Sequence, residues 1–465
     1  MKKFFEKHDL FKMAMIVLLL AVVFSWIMPY TYFTGTAFDS TTQGITRVGF
    51  FDLSTYSMLG LYYFTTFFIF MFVVAGFYKF LGNIPGYQVM TDKIATVFKG
   101  KEKVLAVLSI VIYAVLTSIT TNFMAVIALL PLSITVFSKL KFDKVTGLAA
   151  TVGGMLVGVL CSTYSTQVAG MIVSAFALDY VFEILPLVLI AVVALGLLSF
   201  YTVKKIDNTD KDNLLEDVFA PKTVKATKAS AVPVAIVLSV VLLMVVLAFI
   251  GWSDVFKVTL FSEWMTNLKD AQVFGLKLFG ALLGENAQPF GAWDGFTISG
   301  VLFIATLILQ IVYRVPADTV IDSYAAGFKK INKTVVLLLV VYAILIVSVV
   351  YPTIPYIVSG IAKLGSNVFT WFLESVLVSI FGVDMQYVIT LGGSYLATVG
   401  NNTVAALALQ TGYGLVQFIS PTSVVLVVGL SMLDVKFKDY FKFIWKFLLA
   451  LLVVVLIVLA VVAYV

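Results

Sequence analysis

Four short polar stretches interrupt apolar runs of this sequence and carry the residue types that could bind a ligand. They contain Thr120, Thr121 and Asn122; Ser162, Thr163 and Ser165; Ser379, Gly382 and Asp384; and Ser420, Pro421, Thr422 and Ser423. Hydroxyl groups and the free backbone N–H groups at helix ends bind a carboxylate without an arginine. We therefore predict that these residues bind a carboxylate-bearing substrate. Sodium prefers hard oxygen ligands, so a sodium site near Thr121, Asn122 and Ser162 is left open.

Scarce residue types exclude most catalytic chemistry. His8 is the single histidine and Cys161 the single cysteine of the chain. A zinc-binding HExxH motif, a Ser–His dyad and an internal disulfide are therefore excluded. We predict neither catalytic residues nor a cofactor, apart from a coupling sodium ion or proton, and we do not expect an enzyme.

The composition is that of a membrane protein. The chain has 465 residues, of which 61% are hydrophobic and 12% charged, whereas a soluble domain is about half apolar and a quarter charged. A span needs about 20 apolar residues, so the chain can cross a bilayer many times. The net charge of +6 belongs to short loops, where membrane topology accounts for it, and nucleic acid is not expected as a partner.

Eleven hydrophobic runs organise the chain into an all-α polytopic membrane protein. They are Met13–Met28, Tyr56–Phe80, Val104–Leu140, Val145–Phe176, Val181–Tyr201, Val232–Ile250, Thr297–Tyr313, Thr334–Tyr351, Thr370–Val399, Thr403–Leu433 and Phe441–Val465. Lysine-rich loops face the cytoplasm. If every lysine-rich loop is cytoplasmic, the run 104–140 begins and ends inside the cell, and the run 370–399 begins and ends outside. Both runs are therefore predicted to be re-entrant hairpins, with opposite orientations. The prediction is about nine spans and two hairpins, with the N-terminus in the cytoplasm and the C-terminus outside the plasma membrane.

The two halves of the chain repeat the same order of features. Forty-one residues separate Thr121 from Ser162, and also Ser379 from Ser420. We predict an N-terminal repeat over 1–203 and a C-terminal repeat over 232–465, joined by a cytoplasmic linker over 204–231. Each repeat would hold one hairpin and one broken helix, at 145–176 and 403–433. Inverted repeats with discontinuous helices are typical of secondary transporters that bind substrate at the membrane midplane.

Other polar residues in the apolar runs have less specific roles. Gln410 and Gln417 either line a cavity or form hydrogen bonds between helices. Glu374 and Glu183 are expected at the membrane interface. Asp384 either reaches the outer surface or takes part in binding or proton coupling, because an acid inside a membrane is usually functional.

Two stretches resemble the YfcC-like family of anaerobic four-carbon-dicarboxylate carriers, in the ion transporter superfamily. They are FDKVTGLAA with GVLCSTYSTQVAG (142–150 and 158–170), and ALQTGYGLVQFISPTS with KFIWKF (408–423 and 442–447). The superfamily includes divalent-anion/sodium symporters, p-aminobenzoyl-glutamate transporters and arginine/ornithine antiporters. The resemblance implies two hairpins, an elevator-like movement and a homodimer. The family's second hairpin usually has a serine-rich tip, of which only Ser379 and Gly382 match here.

These observations predict a secondary active transporter of a small carboxylate-bearing metabolite, embedded in the lipid bilayer. Two substrate classes fit. Exchange of amino acids, of the arginine/ornithine type, is slightly favoured because Asp384 would attract a cationic substrate. The alternative is a four-carbon dicarboxylate coupled to sodium or protons. A channel is a more distant alternative, because it needs no matched pair of opposed hairpins.

Overall fold

The computed structural model describes residues 9–28, 32–33, 38–39, 47–219, 230–351, 353–389, 392 and 402–464. In the first half the elements are α1 (Asp9–Ile27), β1 (Tyr32–Phe33), β2 (Phe38–Asp39), α2 (Phe50–Tyr63), α3 (Thr65–Gly82), α4 (Pro85–Phe98), α5 (Glu102–Ile119), α6 (Phe123–Ile127), α7 (Leu130–Lys139), α8 (Lys144–Leu160), α9 (Ala169–Phe176) and α10 (Tyr180–Asp207). In the second half they are α11 (Val232–Ala248), α12 (Leu260–Asp270), α13 (Leu278–Leu283), α14 (Gly295–Tyr313), α15 (Ala317–Val350), α16 (Thr353–Ala362), α17 (Val368–Gly382), α18 (Met385–Val388), α19 (Asn402–Gln417), α20 (Val424–Met432) and α21 (Phe437–Tyr464).

The predicted all-α membrane fold is confirmed. Seven helices among the described residues are long and apolar enough to span a bilayer, namely α1, α3, α5, the 184–207 part of α10, α14, α15 and α21. Leu189, Ile236 and Leu449 are more than half exposed on their helices, as side chains that face lipid would be. The full count of nine spans and two hairpins remains a prediction.

The first predicted bend, between Thr117 and Asn122, is where α5 stops. Asn122 begins α6, and its side-chain oxygen accepts a hydrogen bond from the backbone N–H of Met124 at 2.9 Å. An asparagine at this position satisfies one of the N–H groups that a helix start leaves free. The chain then continues through α6 and α7, so that polar residues lie between apolar helices.

The first broken helix consists of α8, an unwound stretch over 161–168, and α9. Asp143 caps α8 by accepting a hydrogen bond from the N–H of Thr146 at 2.7 Å. Within α8, Ala149–Gly153 form a π-helical turn. The second broken helix consists of α19, an unwound stretch over 418–423, and α20, which Ser423 caps. Pro421 has no N–H to donate to the preceding turn, which explains the second break.

The two broken helices lie side by side in opposite directions. Lys144, at the start of α8, forms an ion pair of 3.0 Å with Asp434, just beyond the end of α20. Farther along, Gly414 of α19 packs against Leu160 of α8. The first broken helix therefore starts on the side where the second one ends, as the inverted-repeat prediction requires.

The bend of the second hairpin lies one helical turn later than the sequence analysis placed it. Helix α17 continues through Ser379 and ends at Gly382, so the stretch 379–382 is helical and is not the tip. Asp384 instead begins α18, where its carboxylate accepts a hydrogen bond from the N–H of Gln386 at 3.0 Å. Ser379 fits inside the helix because its hydroxyl donates to the carbonyl of Ser375 at 2.6 Å. Residues 390–391 and 393–399 of the predicted hairpin lie outside the described residues.

With this correction, the same packing contact occurs in both halves. Gly154 packs against Ile110 and Tyr113 of α5, and Gly412 packs against Ser375 of α17. In the broken helices equivalent residues, such as Gly154 and Gly412, are 258 apart. In the hairpins they are 262 apart, as Tyr113 and Ser375 are. The equal spacing of 41 residues therefore depended on taking Ser379 for the tip.

The predicted linker boundary at residue 204 also needs a small correction. Helix α10 runs on to Asp207, while α11 begins at Val232 as expected. The described part of the connection is tied to the start of α8, because the N–H of Leu215 donates to the carbonyl of Phe142 at 2.8 Å. Residues 220–229 are outside the described residues.

The close approach of α5 and α8 yields a stability prediction. A Cβ atom added at Gly158 would overlap the carbonyl oxygen of Ala114 and lie 2.7 Å from Cβ of Thr117. Gly158→Ala should therefore cost about 1–3 kcal/mol through overpacking and lower the midpoint of thermal unfolding in detergent. The matched control is Gly300→Ala on α14, where no atom lies within 4 Å of an added Cβ. Equal midpoints for the two variants would contradict this close packing.

Candidate functional site

The unwound stretch of the first broken helix is held by one backbone carbonyl of α5. The carbonyl oxygen of Ser118 accepts hydrogen bonds from the N–H groups of Thr163, Tyr164 and Ser165, at 3.1, 3.2 and 3.1 Å. The hydroxyl of Ser118 donates to the carbonyl of Cys161 at 2.9 Å and is 3.0 Å from the hydroxyl of Thr163. These three N–H groups of the break are therefore bound within the protein and are not free for a ligand.

The hydroxyls of the first break also serve the backbone. Ser162 accepts a hydrogen bond from the N–H of Ala169 at 3.3 Å, and Ser165 accepts one from the N–H of Gln167 at 3.2 Å. These bonds satisfy backbone donors where α9 begins, which the break would otherwise leave unpaired. Both serines are buried. The structure thus places Ser162, Thr163 and Ser165 together, with capping contacts.

At the first hairpin tip, one hydroxyl remains without a partner. Thr120 accepts a hydrogen bond from the N–H of Asn122 at 3.1 Å. The side chain of Gln167 accepts one from the N–H of Phe123 at 2.7 Å, which joins the tip to the break. The backbone N–H of Thr121 donates to the carbonyl of Phe249 at 2.7 Å, but the buried hydroxyl of Thr121 has no hydrogen-bond partner among the described residues.

At the second break, as at the first, a backbone carbonyl of the helix that precedes the tip accepts a hydrogen bond from the break. The carbonyl of Ile380 accepts a hydrogen bond from the hydroxyl of Thr422 at 2.9 Å, and that hydroxyl is also 2.6 Å from the hydroxyl of Ser420. Ile380 precedes the capping residue Asp384 by four residues, as Ser118 precedes Asn122. Each hairpin therefore holds the neighbouring break through a carbonyl one turn before its tip.

The second tip turns within three residues. Val383 has a φ of 54° and a ψ of −53°, and the N–H of Asp384 donates to the carbonyl of Gly382. This γ-turn conformation is strained for a β-branched residue. Gly382 fits because an added Cβ would overlap Val388. The hydroxyl of Tyr413 donates to the carbonyl of Val383 at 3.4 Å, which ties the tip to α19.

Gln410 joins the two halves. Its side-chain Nε2 donates to the carbonyl of Ser162 at 2.6 Å, so it forms a hydrogen bond between helices, one of the two roles expected for it. Its Oε1 and the Nε2 of Gln417 are buried and have no hydrogen-bond partner among the described residues. Seven residues of α19 separate the two glutamines, which corresponds to about 10 Å along the helix.

The predicted site residues therefore form two clusters. The first cluster contains Thr120, Thr121, Asn122, Ser162, Thr163 and Ser165. The second cluster contains Ser420, Pro421, Thr422 and Ser423, with Gly382 and Asp384 at the nearby tip. Ser379 is part of neither, because its hydroxyl is bound within α17. No described hydrogen bond joins the serine and threonine side chains of the two clusters directly, and α19 runs between them.

Three contributors to the site were missed by the sequence analysis. Ser118 binds the first break through its carbonyl and its hydroxyl, the hydroxyl of Ser375 donates to the carbonyl of Leu409, and Tyr413 holds the tip. Glu374, expected at the membrane interface, is only 1% exposed, and its Oε2 has no partner among the described residues. In the sequence, the only signal for Glu374 was that it is the single acid in the apolar stretch that forms α17.

The open polar groups indicate the chemistry that this region can support. The hydroxyl of Thr121, in the first cluster, and the Nε2 of Gln417, next to the second break, are neutral donors. Buried polar groups without a partner require an explanation, and a bound polar ligand is one. Within the described part of the chain, no three His, Cys, Asp or Glu residues are grouped as metal ligands. Each of these two neutral groups can donate a hydrogen bond to an acceptor atom of a polar ligand.

Comparison with known proteins shows a match to one protein family. The sequence model of the C4-dicarboxylate anaerobic carrier family (DcuC) matches residues 8–464. Comparison with curated proteins finds no match. Among solved structures, the YdaH transporter of Alcanivorax borkumensis is 13% identical with a TM-score of 0.40, and the alignment covers 98% of each chain. MtrF of Neisseria gonorrhoeae, described within a class of antimetabolite efflux pumps, is 13% identical with a TM-score of 0.37, over 97% of this chain and 94% of its own.

The bond from Gln410 to Ser162 yields a prediction about the first break. Gln410→Met keeps the size of the side chain but leaves the carbonyl of Ser162 unpaired. The break should open more often, and hydrogen–deuterium exchange of the amides over 161–168 should speed up about fivefold, for a net hydrogen bond of about 1 kcal/mol.

The matched control is Thr411→Val, also fully buried on α19, whose hydroxyl donates to the carbonyl of Leu407 in the same helix. That variant should leave exchange of the break unchanged. Equal exchange in both variants would show that Gln410 does not hold the break closed.

Proposed function

Because the chain belongs to the C4-dicarboxylate anaerobic carrier family, we propose that it carries a four-carbon dicarboxylate across the membrane. It is a membrane transport protein and not an enzyme. Within the structure, the observation that supports a dicarboxylate is that two buried neutral donors have no partner among the described residues, namely Thr121 in the first cluster and Gln417 next to the second break. Both groups can donate hydrogen bonds to carboxylate oxygens.

Neutral donors fit a substrate that must be released again. A carboxylate that loses its water needs hydrogen-bond donors in return. A buried arginine or lysine would supply a full charge, and separating a buried ion pair is costly. Hydroxyl and amide donors would hold the dicarboxylate less strongly. We therefore propose alternating access by an elevator-like movement, in which the clusters bind and release substrate on each side.

Exchange of amino acids is the second candidate, and Asp384 is the observation that favoured it. The carboxylate of Asp384 is engaged in capping α18, since it accepts a hydrogen bond from the N–H of Gln386. Its position at the tip is explained without a cationic substrate. Together with the family, this favours the dicarboxylate over arginine and ornithine.

Coupling to an ion is part of the proposal. Glu374 would serve proton coupling, because it is a buried acid without an ion pair among the described residues. The hydroxyl of Thr121 is the open oxygen for a sodium ion near Asn122 and Ser162. We further propose that the protein is a homodimer in the plasma membrane, with the lysine-rich side and the N-terminus in the cytoplasm and the C-terminus outside.

The decisive experiment is uptake of labelled succinate by proteoliposomes of the purified protein. Separate arms impose a sodium gradient, a proton gradient, or internal succinate without any gradient. A parallel arm offers labelled arginine to vesicles that contain ornithine. We expect succinate uptake that one of the three driving conditions increases, and no arginine uptake. Arginine uptake that requires internal ornithine, without succinate uptake, would replace the dicarboxylate by the amino-acid alternative.

Asp384 provides a prediction that separates capping from charge. Asparagine caps a helix as well as aspartate, so Asp384→Asn should keep succinate uptake at or above the wild-type rate. Asp384→Ala removes the cap, which costs about 1 kcal/mol, and should lower both the thermal midpoint and the uptake rate.

Uptake by the two Asp384 variants is measured at equal amounts of reconstituted protein. Loss of succinate uptake in Asp384→Asn, with an unchanged thermal midpoint, would mean that the negative charge itself takes part in transport. Retained arginine transport in the same variant would remove the charge argument for an amino-acid substrate.

A further inference from the structure

A large crevice lies on the lysine-rich side of the protein, away from the two clusters. It has a volume of about 1230 Å³ and is lined by α1, α15, α21, the start of α8, the end of α10 and the end of α20. Eight of its lining residues are lysines and five are aspartates: Lys144, Lys204, Lys205, Lys329, Lys333, Lys436, Lys442 and Lys446, with Asp9, Asp143, Asp210, Asp434 and Asp439. We call this cavity the lysine crevice.

We propose that the lysine crevice is a vestibule that collects the dianionic substrate from solution and delivers it to the second cluster. This inference rests on the proposed transport of a dicarboxylate, and it names the surface through which that substrate arrives. The ligand class is a small organic dianion, bound loosely by several lysines.

The charge of the crevice is only partly neutralised from within. Lys144 pairs with Asp434 at 3.0 Å, and Lys205 pairs with Asp143 at 3.4 Å. The other six lining lysines form no ion pair with the described residues. With eight lysines and five aspartates, the lining carries a formal charge of +3. A cleft whose lining carries an excess of one sign of charge concentrates counter-ions and raises their rate of association.

The short helix α20 runs from the second cluster to the wall of the crevice. Ser423 begins α20 at the second cluster, and Leu430 and Ser431 of the same helix line the crevice. The seven residues from Ser423 to Leu430 correspond to about 10 Å. The first broken helix also starts there, since Asp143, Lys144 and Val145 belong to the lining. The ends of both broken helices therefore open on the same cavity.

The opposite wall belongs to α15. Lys329, Lys333 and Val336 of that helix line the crevice. Beside them the hydroxyl of Thr334 donates to the hydroxyl of Ser431 at 2.7 Å, which is the described side-chain hydrogen bond between α15 and α20. A cavity between α15 and the broken helices is where a dianion would pass if the broken helices move against α15.

Membrane topology alone explains only part of this pattern. Lysines gather on the cytoplasmic side of membrane proteins in general. That rule does not distinguish lysines inside the crevice from those outside it. Lys101, Lys330 and Lys438 are exposed lysines of the same lysine-rich side but do not line the crevice. They provide a control with the same change in charge.

The electrostatic potential in the crevice can be tested without measuring transport. Cys161 is the single cysteine and is buried, so Val336→Cys introduces one accessible thiol. Its rate of reaction is measured with an anionic sulfonatoethyl thiosulfonate and with a cationic trimethylammonium thiosulfonate. Neutralising the lining with Lys333→Gln, Lys442→Gln and Lys446→Gln should lower the anionic-to-cationic rate ratio about tenfold at low salt. Lys101→Gln, Lys330→Gln and Lys438→Gln together should change it less than twofold.

The delivery part is tested by succinate uptake into inverted membrane vesicles, which expose the cytoplasmic side. For the lining triple variant, KM at low ionic strength should rise about tenfold while kcat stays unchanged, and the dependence of KM on choline chloride should disappear. The control triple variant should keep the wild-type KM and its salt dependence. A merely structural role of the lysines would not remove the salt dependence.

The possible outcomes distinguish a failure of the vestibule proposal from a failure of the proposed dicarboxylate transport. Equal reagent ratios for the lining and control variants would overturn the vestibule. An unchanged KM together with a lowered reagent ratio would also overturn it, because the potential would then have no role in delivery. An effect seen only in vesicles with anionic phospholipid would assign the crevice to lipid headgroups and reject a substrate vestibule. Absence of succinate uptake in the wild type would refute the proposed function, while the reagent ratio still reports on the crevice.

Discussion

The structure depends on one constraint, namely that every backbone N–H and carbonyl group within a bilayer needs a partner inside the protein. A helix that breaks in the membrane exposes several such groups at once. Here the carbonyl of Ser118 takes three N–H groups of the first break, and the hydroxyls of Ser162 and Ser165 take two more at the start of α9. The break is therefore stable only because α5 stops beside it. This explains why, in each half of the chain, a helix ends next to the broken helix: α5 beside the first break and α17 beside the second.

The same constraint explains which features could be predicted from the sequence. Polar residues in an apolar run mark places where backbone groups need partners, and the described helices stop at such residues at 120–122, 161–168 and 418–423. The second tip was misplaced because Ser379 satisfies its hydroxyl within α17, whereas Asp384, which looked like a binding charge, is the helix cap. A serine inside a helix and a serine at a helix end have the same local signature. The cap position of an acid is visible only once the end of the helix is known.

Other features depend on tertiary contacts that no local pattern contains. The roles of Ser118 and Ile380 come from backbone carbonyls, which every residue has, so their side chains give no signal. The bond from Gln410 to Ser162 joins residues that are 248 positions apart in the chain. Glu374 became recognisable as a buried acid only through the packing of α17 against its neighbours. The grouping of lysines from four separate segments around one crevice likewise required the fold.

The two clusters and the lysine crevice would act on an anionic substrate in different ways. The two clusters offer neutral donors, and the lysine crevice offers full positive charges in contact with water. A unit charge acts strongly in a buried site and weakly in water, so lysines at the clusters would hold a dianion too tightly to release it, whereas in the crevice they raise its local concentration without trapping it. Transport also requires that the clusters remain folded when no substrate is bound. Neutral groups meet that requirement more easily than a set of buried lysines, whose mutual repulsion no ligand would offset in the empty state.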